Sequence, residues 1–252
     1  MDNQEDPKMS LTEHLIELRK RLTNAIIALG IGFFACYYFK DWLFAIITKP
    51  LTNALPQSSY LIYTGLTQAF FTYMKIALFA SLILTSPFIF YQVWRFISPA
   101  LLPRERKLVI PFVLSSTLLF AGGILFGYFV VLPPAFRFFV SFNNDYLRAM
   151  ISFNEYLSLF IKFLLGFGVS FQLPILILFL AKLGIVTDKL LRKNRKYAIL
   201  LIFVTAAILT PSPDALSQVL MAIPLLFLYE VSIFVAKFAA RKKESPVENN
   251  EE

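Results

Sequence analysis

The stretch SLTEHLIELRKRLTNAIIALGIGFFACYYF, residues 10–39, decides the fold, because a short charged segment in it leads directly into a long apolar run. Ser10 and Glu13 have the spacing of a capping box, which starts a helix by satisfying its first backbone amides. Leucines then recur every three or four residues, as expected for one face of a helix. At about 1.5 Å per residue, the run from Leu22 to Phe39 is long enough to cross the roughly 30 Å hydrocarbon core of a bilayer. The stretch therefore predicts a membrane-spanning helix with a charged beginning.

The composition of the whole chain agrees with a membrane protein. Hydrophobic residues make up 58% and charged residues 16% of the 252 positions, whereas soluble domains carry about 25% charged residues. Six apolar runs predict an all-α integral membrane protein, with a six-helix domain over residues 10–238. The predicted spans are residues 22–39, 67–94, 108–132, 156–183, 197–210 and 215–238. We expect the polar ends, residues 1–9 and 239–252, to be disordered.

The distribution of basic residues predicts the orientation of the spans. The net charge is +8, and 18 of the 24 Lys and Arg residues fall in segments that the six spans would place on one side of the membrane. Such segments face the cytoplasm, so both termini are expected to be cytoplasmic. Because the basic residues are divided among separate loops, they do not form the continuous patch typical of nucleic-acid binding.

Sequence patterns of an enzyme are missing. The single histidine, His14, has no second ligand at a metal-binding spacing. The chain has neither a Gly-x-Ser-x-Gly nucleophile turn nor a glycine-rich phosphate loop. The single cysteine, Cys36, excludes an internal disulfide. We therefore expect no enzymatic activity, no metal and no cofactor.

Two acidic residues next to predicted spans are candidates for binding. Glu17 precedes Arg21 by four residues, which is the favourable order for an ion pair along a helix. This pair is either a solvated helix face or the place where Glu17 accepts a basic ligand at the membrane surface. Glu105 lies between two arginines, so it either forms a local ion pair or joins Glu17 in accepting guanidinium groups.

Polar residues inside the predicted spans leave a second class of function open. Lys75, Lys162, Gln172 and Glu230 lie within apolar runs, where polar groups are functional candidates by default. They support a small secondary transporter or channel as the main alternative, although the chain lacks the internal repeat of many transporters. A third alternative is an inert scaffold for other membrane proteins, which would explain the basic loops but not the two surface carboxylates.

Several long motifs resemble one family along nearly the whole chain. The matching stretches are HLIELRKRL (14–22), SPFIFYQVWRFISPALLPRERK (86–107), YFVVLPPAF (128–136), GFGVSFQLPI (166–175) and TPSPDALSQVLMAIPLLFLYE (210–230). They resemble TatC, the core subunit of the twin-arginine (Sec-independent) protein translocase. The resemblance implies a cupped six-helix receptor in the cytoplasmic (inner) membrane. It also implies recognition of twin-arginine signal peptides and movement of folded proteins by the proton-motive force.

The resemblance also assigns roles to residues by their motif positions. Signal-peptide binding is implied for Glu17, Arg19, Phe96, Pro99 and Glu105. An intramembrane or partner-contact role is implied for Gln172, Thr210 and Gln218, and a periplasmic position for Pro50 and Asp214. The implied partners are signal peptides, single-span TatA- and TatB-like subunits, other TatC copies and membrane lipid. Gln172 stands where the family often has Glu, and an amide hydrogen-bonds without exchanging a proton.

Overall fold

The computed structural model describes residues 11–55, 61–63, 65–98, 108–141, 150–209 and 215–241. Ten α-helices lie in these ranges, and a five-residue π-helical stretch, Gly127–Val131, joins the fourth helix to the fifth. The helices are α1 (Leu11–Tyr38), α2 (Lys40–Thr52), α3 (Gln68–Ile97), α4 (Val109–Phe126), α5 (Leu132–Val140), α6 (Phe153–Ser170), α7 (Leu173–Lys182), α8 (Asp188–Lys193), α9 (Arg195–Leu209) and α10 (Ala215–Arg241).

Five of these helical segments are long and apolar enough to cross a membrane. They are Thr12–Tyr38, Gln68–Ile97, Val109–Val140, Phe153–Lys182 and Met221–Phe238. The fifth predicted span forms α9, whose 15 residues extend over about 22 Å. The predicted all-α integral membrane fold is confirmed. The charged segment at the start of the chain is continuous with the first span, since α1 begins at Leu11.

Small residues bring α1 against α3. A Cβ atom added to Gly32 would lie 2.8 Å from Thr85 Cγ2, so only glycine fits at this contact without a shift. One turn away, the Ser81 hydroxyl donates a 2.8 Å hydrogen bond to the carbonyl of Leu29. Because the two helices run in opposite directions, the charged start of α1 lies beside the end of α3.

A second close approach joins α4 to α6. A Cβ atom on Gly123 would lie 2.7 Å from the Phe167 carbonyl oxygen and 3.0 Å from Gly168 Cα. A Cβ atom on Gly127 would lie 2.8 Å from Leu164 Cδ2. The GxxxG pattern of the third span therefore forms a close-packing face, as this pattern does in many membrane helices.

The fourth span is broken in the middle and capped at its end. Pro174 lies in the first turn of α7, where its missing amide hydrogen costs least. After α7, Gly184 has a φ of 80°, and the amides of Gly184 and Ile185 bond back to Ala181 and Leu180. This is a Schellman motif, in which glycine takes the left-handed position without a steric penalty.

An aromatic core holds α6 in the centre of the bundle. Phe160, Phe163 and Phe167 are almost completely buried on α6. On another face of α6, Gly166 accommodates the end of α9, because a Cβ atom there would lie 2.7 Å from Leu209 Cδ1. Leu209, the last described residue of α9, therefore lies at the level of Gly166, well inside the length of α6.

Candidate functional site

Glu17 and Arg21 lie one turn apart near the start of α1. Their predicted ion pair is confirmed, with Arg21 Nη2 3.2 Å from Glu17 Oε1. Only 15% of the Glu17 side chain and 20% of the Arg21 side chain are exposed. This covering does not fit a solvated helix face, because such a face would leave both side chains in water. A ligand-accepting role of Glu17 stays a prediction.

Gln92 on α3 completes a cluster with this ion pair. Its side chain is 5% exposed, and its Oε1 accepts a 3.2 Å hydrogen bond from Arg21 Nη1. The Arg21 guanidinium is thus shared between a carboxylate on its own helix and an amide on the neighbouring helix. Sequence reasoning missed Gln92, although a glutamine within an apolar run is itself a signal, since it needs a polar partner.

Two polar atoms of the cluster remain open, which here means that they are unpaired and not that they are exposed to solvent. Glu17 Oε2 and Arg21 Nε are buried and have no hydrogen-bond partner among the residues that the structure describes. Guanidinium and carboxylate groups often pair through two parallel hydrogen bonds, but this pair uses one oxygen and one terminal nitrogen. Glu17 therefore keeps one carboxylate oxygen that can accept a further N–H donor.

Phe96 lies at the same end of α3, one turn beyond Gln92. Its ring stacks on the His14 ring of α1, with the centroids 4.4 Å apart and the planes 20° apart. The structure thus brings the predicted residues Phe96 and Glu17 to the junction of α1 and α3, and it adds His14. Arg19 is exposed. Because it is two residues from Glu17, it projects from the opposite side of α1.

Four predicted site residues lie outside the described ranges. Pro99 and Glu105 fall in residues 99–107, and Thr210 and Asp214 fall in residues 210–214. Their roles stay predictions.

Gln172 belongs to a second polar group on the other side of α3. Its side-chain amide, between α6 and α7, donates a 3.0 Å hydrogen bond to the carbonyl of Ser116. The Ser116 hydroxyl accepts a 3.0 Å hydrogen bond from the indole of Trp94, and the Trp94 ring stacks on Phe112. Trp94 and Gln92 are two residues apart on α3 and so point to different sides. Gln172 therefore acts here as a hydrogen-bond donor that joins the broken fourth span to α4.

Pro50 lies buried within α2 and has a structural consequence. A proline has no amide hydrogen, so it leaves the carbonyl four residues earlier, on Ile46, without its helical partner. The Tyr128 hydroxyl donates a 2.9 Å hydrogen bond to this carbonyl. The buried Tyr156 hydroxyl donates to the adjacent carbonyl, on Ile47. Two tyrosines thus hold α2 against the third and fourth spans.

Gln218 and Glu230 tie α10 to the segment before it. The Gln218 amide donates a 2.9 Å hydrogen bond to the Phe203 carbonyl of α9. Glu230 forms an ion pair with Arg195 at the beginning of α9, and about half of each side chain is exposed. The sequence suggested Glu230 as a polar group inside a span, but its pairing places it at the level where α9 starts.

The polar residues that supported a transporter lie at separate places in the fold. Lys75 Nζ donates a 2.7 Å hydrogen bond to Asn154 Oδ1, between the starts of α3 and α6. Glu230 pairs at the start of α9, whereas Lys162 is exposed on α6. Within the described ranges, no group of three or more His, Cys, Asp or Glu residues is placed to hold a metal ion.

The fold and the cluster define a multi-span helical membrane protein with a buried, unpaired carboxylate oxygen where α1 meets α3. Residues 13–224 match the model of the family described as Sec-independent protein translocase protein (TatC). The chain belongs to this family.

Relatives and solved structures agree with this assignment. A Sec-independent protein translocase protein TatC from Desulforapulum autotrophicum is 47% identical over 98% of this chain and 91% of the relative. The Escherichia coli K12 protein of the same name is 43% identical over 92% of this chain and 90% of its own length. A crystal structure described as twin arginine translocase receptor TatC superposes with a TM-score of 0.81 and is 44% identical, covering 91% of this chain and all of that chain. This similarity agrees with the predicted cupped six-helix arrangement.

Proposed function

We propose that this chain is the signal-peptide receptor and core subunit of a twin-arginine translocase. In this role it recognises the paired arginines of an export signal peptide and helps to move folded proteins across the cytoplasmic (inner) membrane. Its partners are TatA- and TatB-like single-span subunits, other copies of the chain and membrane lipid, and the proton-motive force supplies the energy. Both termini lie in the cytoplasm, as the basic loops indicate.

The observation that carries this proposal is the open oxygen of Glu17. Glu17 Oε2 is buried and has no partner among the described residues. A guanidinium suits this acceptor better than an ammonium does, because its planar group of donors matches carboxylate geometry. The stacked rings of His14 and Phe96 at the same helix junction provide an aromatic surface beside which an arginine side chain can pack.

The other predicted residues complete this proposal around the same fold. Arg19, Pro99 and Glu105 belong to the signal-binding surface, where Glu105 would accept the second arginine. Thr210 and Gln218 contact partner subunits, and Gln172 faces the apolar part of the signal. Pro50 and Asp214 lie on the periplasmic side. For Gln218, one amide donor is already used by α9, so a partner would meet the remaining polar atoms of the side chain.

Peptide binding tests the proposal directly. The purified protein in detergent is titrated with a fluorescent twin-arginine signal peptide and with the same peptide carrying two lysines. We expect the wild type to prefer the arginine peptide, and Glu17→Gln to weaken its binding by about tenfold or more, the effect of losing one hydrogen bond to a charged group. Glu13→Gln is the matched control, because it removes the same charge one turn earlier on α1.

Two results would overturn the proposal. Equal binding of both peptides by the wild type would mean apolar capture without recognition of arginine. Equal losses in Glu13→Gln and Glu17→Gln would mean that net charge at this surface, and not the open oxygen of Glu17, attracts the peptide.

A further inference from the structure

The geometry around Arg21 differs from that of a simple surface ion pair. Its Nη2 donates to Glu17 Oε1 and its Nη1 donates to Gln92 Oε1, both over 3.2 Å. Its Nε, which could reach the second carboxylate oxygen in a side-on arrangement, has no partner among the described residues. Both distances exceed the roughly 2.7–2.9 Å of strong charge-assisted hydrogen bonds. Arg21 is therefore divided between two acceptors and binds Glu17 at one point.

Gln92 is the residue of this cluster whose side chain is held in place by burial on α3. It is 5% exposed and belongs to α3, which packs along α1 through Gly32 and Ser81. Its buried amide oxygen pulls one edge of the Arg21 guanidinium toward α3. Without that acceptor, Arg21 would be free to turn its Nε and Nη2 onto both oxygens of Glu17, which is the preferred two-bond geometry.

We infer that Gln92 and Arg21 are positioning residues that keep Glu17 receptive. Gln92 holds Arg21 in one-point contact, and Arg21 in turn orients Glu17 with one oxygen paired and one buried oxygen left unpaired. A guanidinium that enters the junction of α1 and α3 can bind to this unpaired oxygen. Since the incoming group is taken to be the arginine of a signal peptide, this inference rests on the proposed function. It predicts that loss of Gln92 weakens binding through internal competition by Arg21.

A double-mutant cycle separates this competition from a packing role. Gln92→Met keeps the length of the side chain and removes the acceptor, and we expect it to weaken binding of the twin-arginine peptide by about tenfold, since the open oxygen is lost. The lysine of Arg21→Lys has no planar guanidinium and cannot bind both oxygens of Glu17 through two parallel hydrogen bonds. Added to Gln92→Met, it is expected to restore most of that loss, whereas Arg21→Lys alone weakens binding by less than about threefold.

The outcomes distinguish this inference from failure of the proposed function. If the wild type prefers arginine peptide over lysine peptide but Gln92→Met binds as the wild type does, the inference is wrong and the receptor function stands. If the double variant binds as weakly as Gln92→Met, Gln92 only packs α1 against α3, and the inference is again wrong. Gln92→Leu provides a second apolar replacement if Gln92→Met does not fold, which the elution profile in detergent reports.

Discussion

Gly122 and Gly123 are neighbours on α4 with opposite surroundings, and alanine should therefore have opposite effects at the two positions. A Cβ atom on Gly123 would lie 2.7 Å from the Phe167 carbonyl oxygen, 2.9 Å from Phe171 Cγ and 3.0 Å from Gly168 Cα. A Cβ atom on Gly122 would have nothing within 4 Å. Gly123→Ala is expected to destabilise the protein, and Gly122→Ala is its matched control.

The size of the effect follows from the overlap. Carbon and carbonyl oxygen atoms in close contact normally lie about 3.3–3.6 Å apart, so α4 and α6 must separate locally by about 0.6–0.9 Å in Gly123→Ala. Two of the three nearest atoms belong to the α6 backbone and cannot rotate away. Overpacking of this kind costs about 1–3 kcal/mol, whereas Gly122→Ala should gain about 0.5–1 kcal/mol from its helix preference.

Thermal unfolding in detergent measures this difference. The free energies of unfolding should differ by about 1.5–4 kcal/mol between the variants, which corresponds to at least about 3 °C in apparent Tm for a chain of this size. Equal apparent Tm values for the two variants would refute the close contact between α4 and α6. A more stable Gly123→Ala would refute it as well.

Three further variants test the polar contacts of the fold by the same unfolding assay. Tyr156→Phe leaves the buried Ile47 carbonyl without its side-chain donor and should cost about 1–3 kcal/mol; no loss would contradict that bond. Gln172→Glu replaces the donor to the Ser116 carbonyl by a carboxylate, so the variant should be less stable at pH 8 than at pH 5, where protonation restores a donor; a pH-independent stability difference from the wild type would contradict this. Arg195→Gln removes an ion pair that is about half exposed and should cost less than about 1 kcal/mol, and a larger loss would show that the pair is shielded from water.

The sequence predicts the fold well because apolar length is a strong signal in membranes. Lipid offers no hydrogen-bond partners, so a long apolar run must form a helix. The Glu17–Arg21 ion pair could also be predicted from the sequence, since it depends only on a spacing of four residues within one helix. The close-packing face formed by the GxxxG pattern of α4 can also be predicted from spacing. The identity of the helix that packs on it, α6, cannot be predicted in this way.

In the cluster around Glu17, the contact within α1 could be predicted from the sequence, but the contacts between α1 and α3 could not. Gln92 is 71 residues from Arg21 in the chain, and its contact depends on the crossing of α1 and α3. The same holds for the stacking of His14 on Phe96, because periodicity places each residue on a face but does not choose the neighbouring helix. Glu230 shows the reverse error. Its position within an apolar run suggested a polar group inside a span, but it pairs with Arg195 at the beginning of α9 and about half of its side chain is exposed.

The described part of α9 reaches only partway along α6. Leu209 touches Gly166, which lies 13 residues, or about 20 Å, along α6 from Phe153. Lys162 is one turn nearer the start of α6 on the same face, and its side chain is exposed. The ammonium group of Lys162 is therefore not enclosed by apolar side chains, and its flexible side chain can extend along α6 toward the membrane surface. A cation within a membrane span can keep its charge at moderate cost in this way.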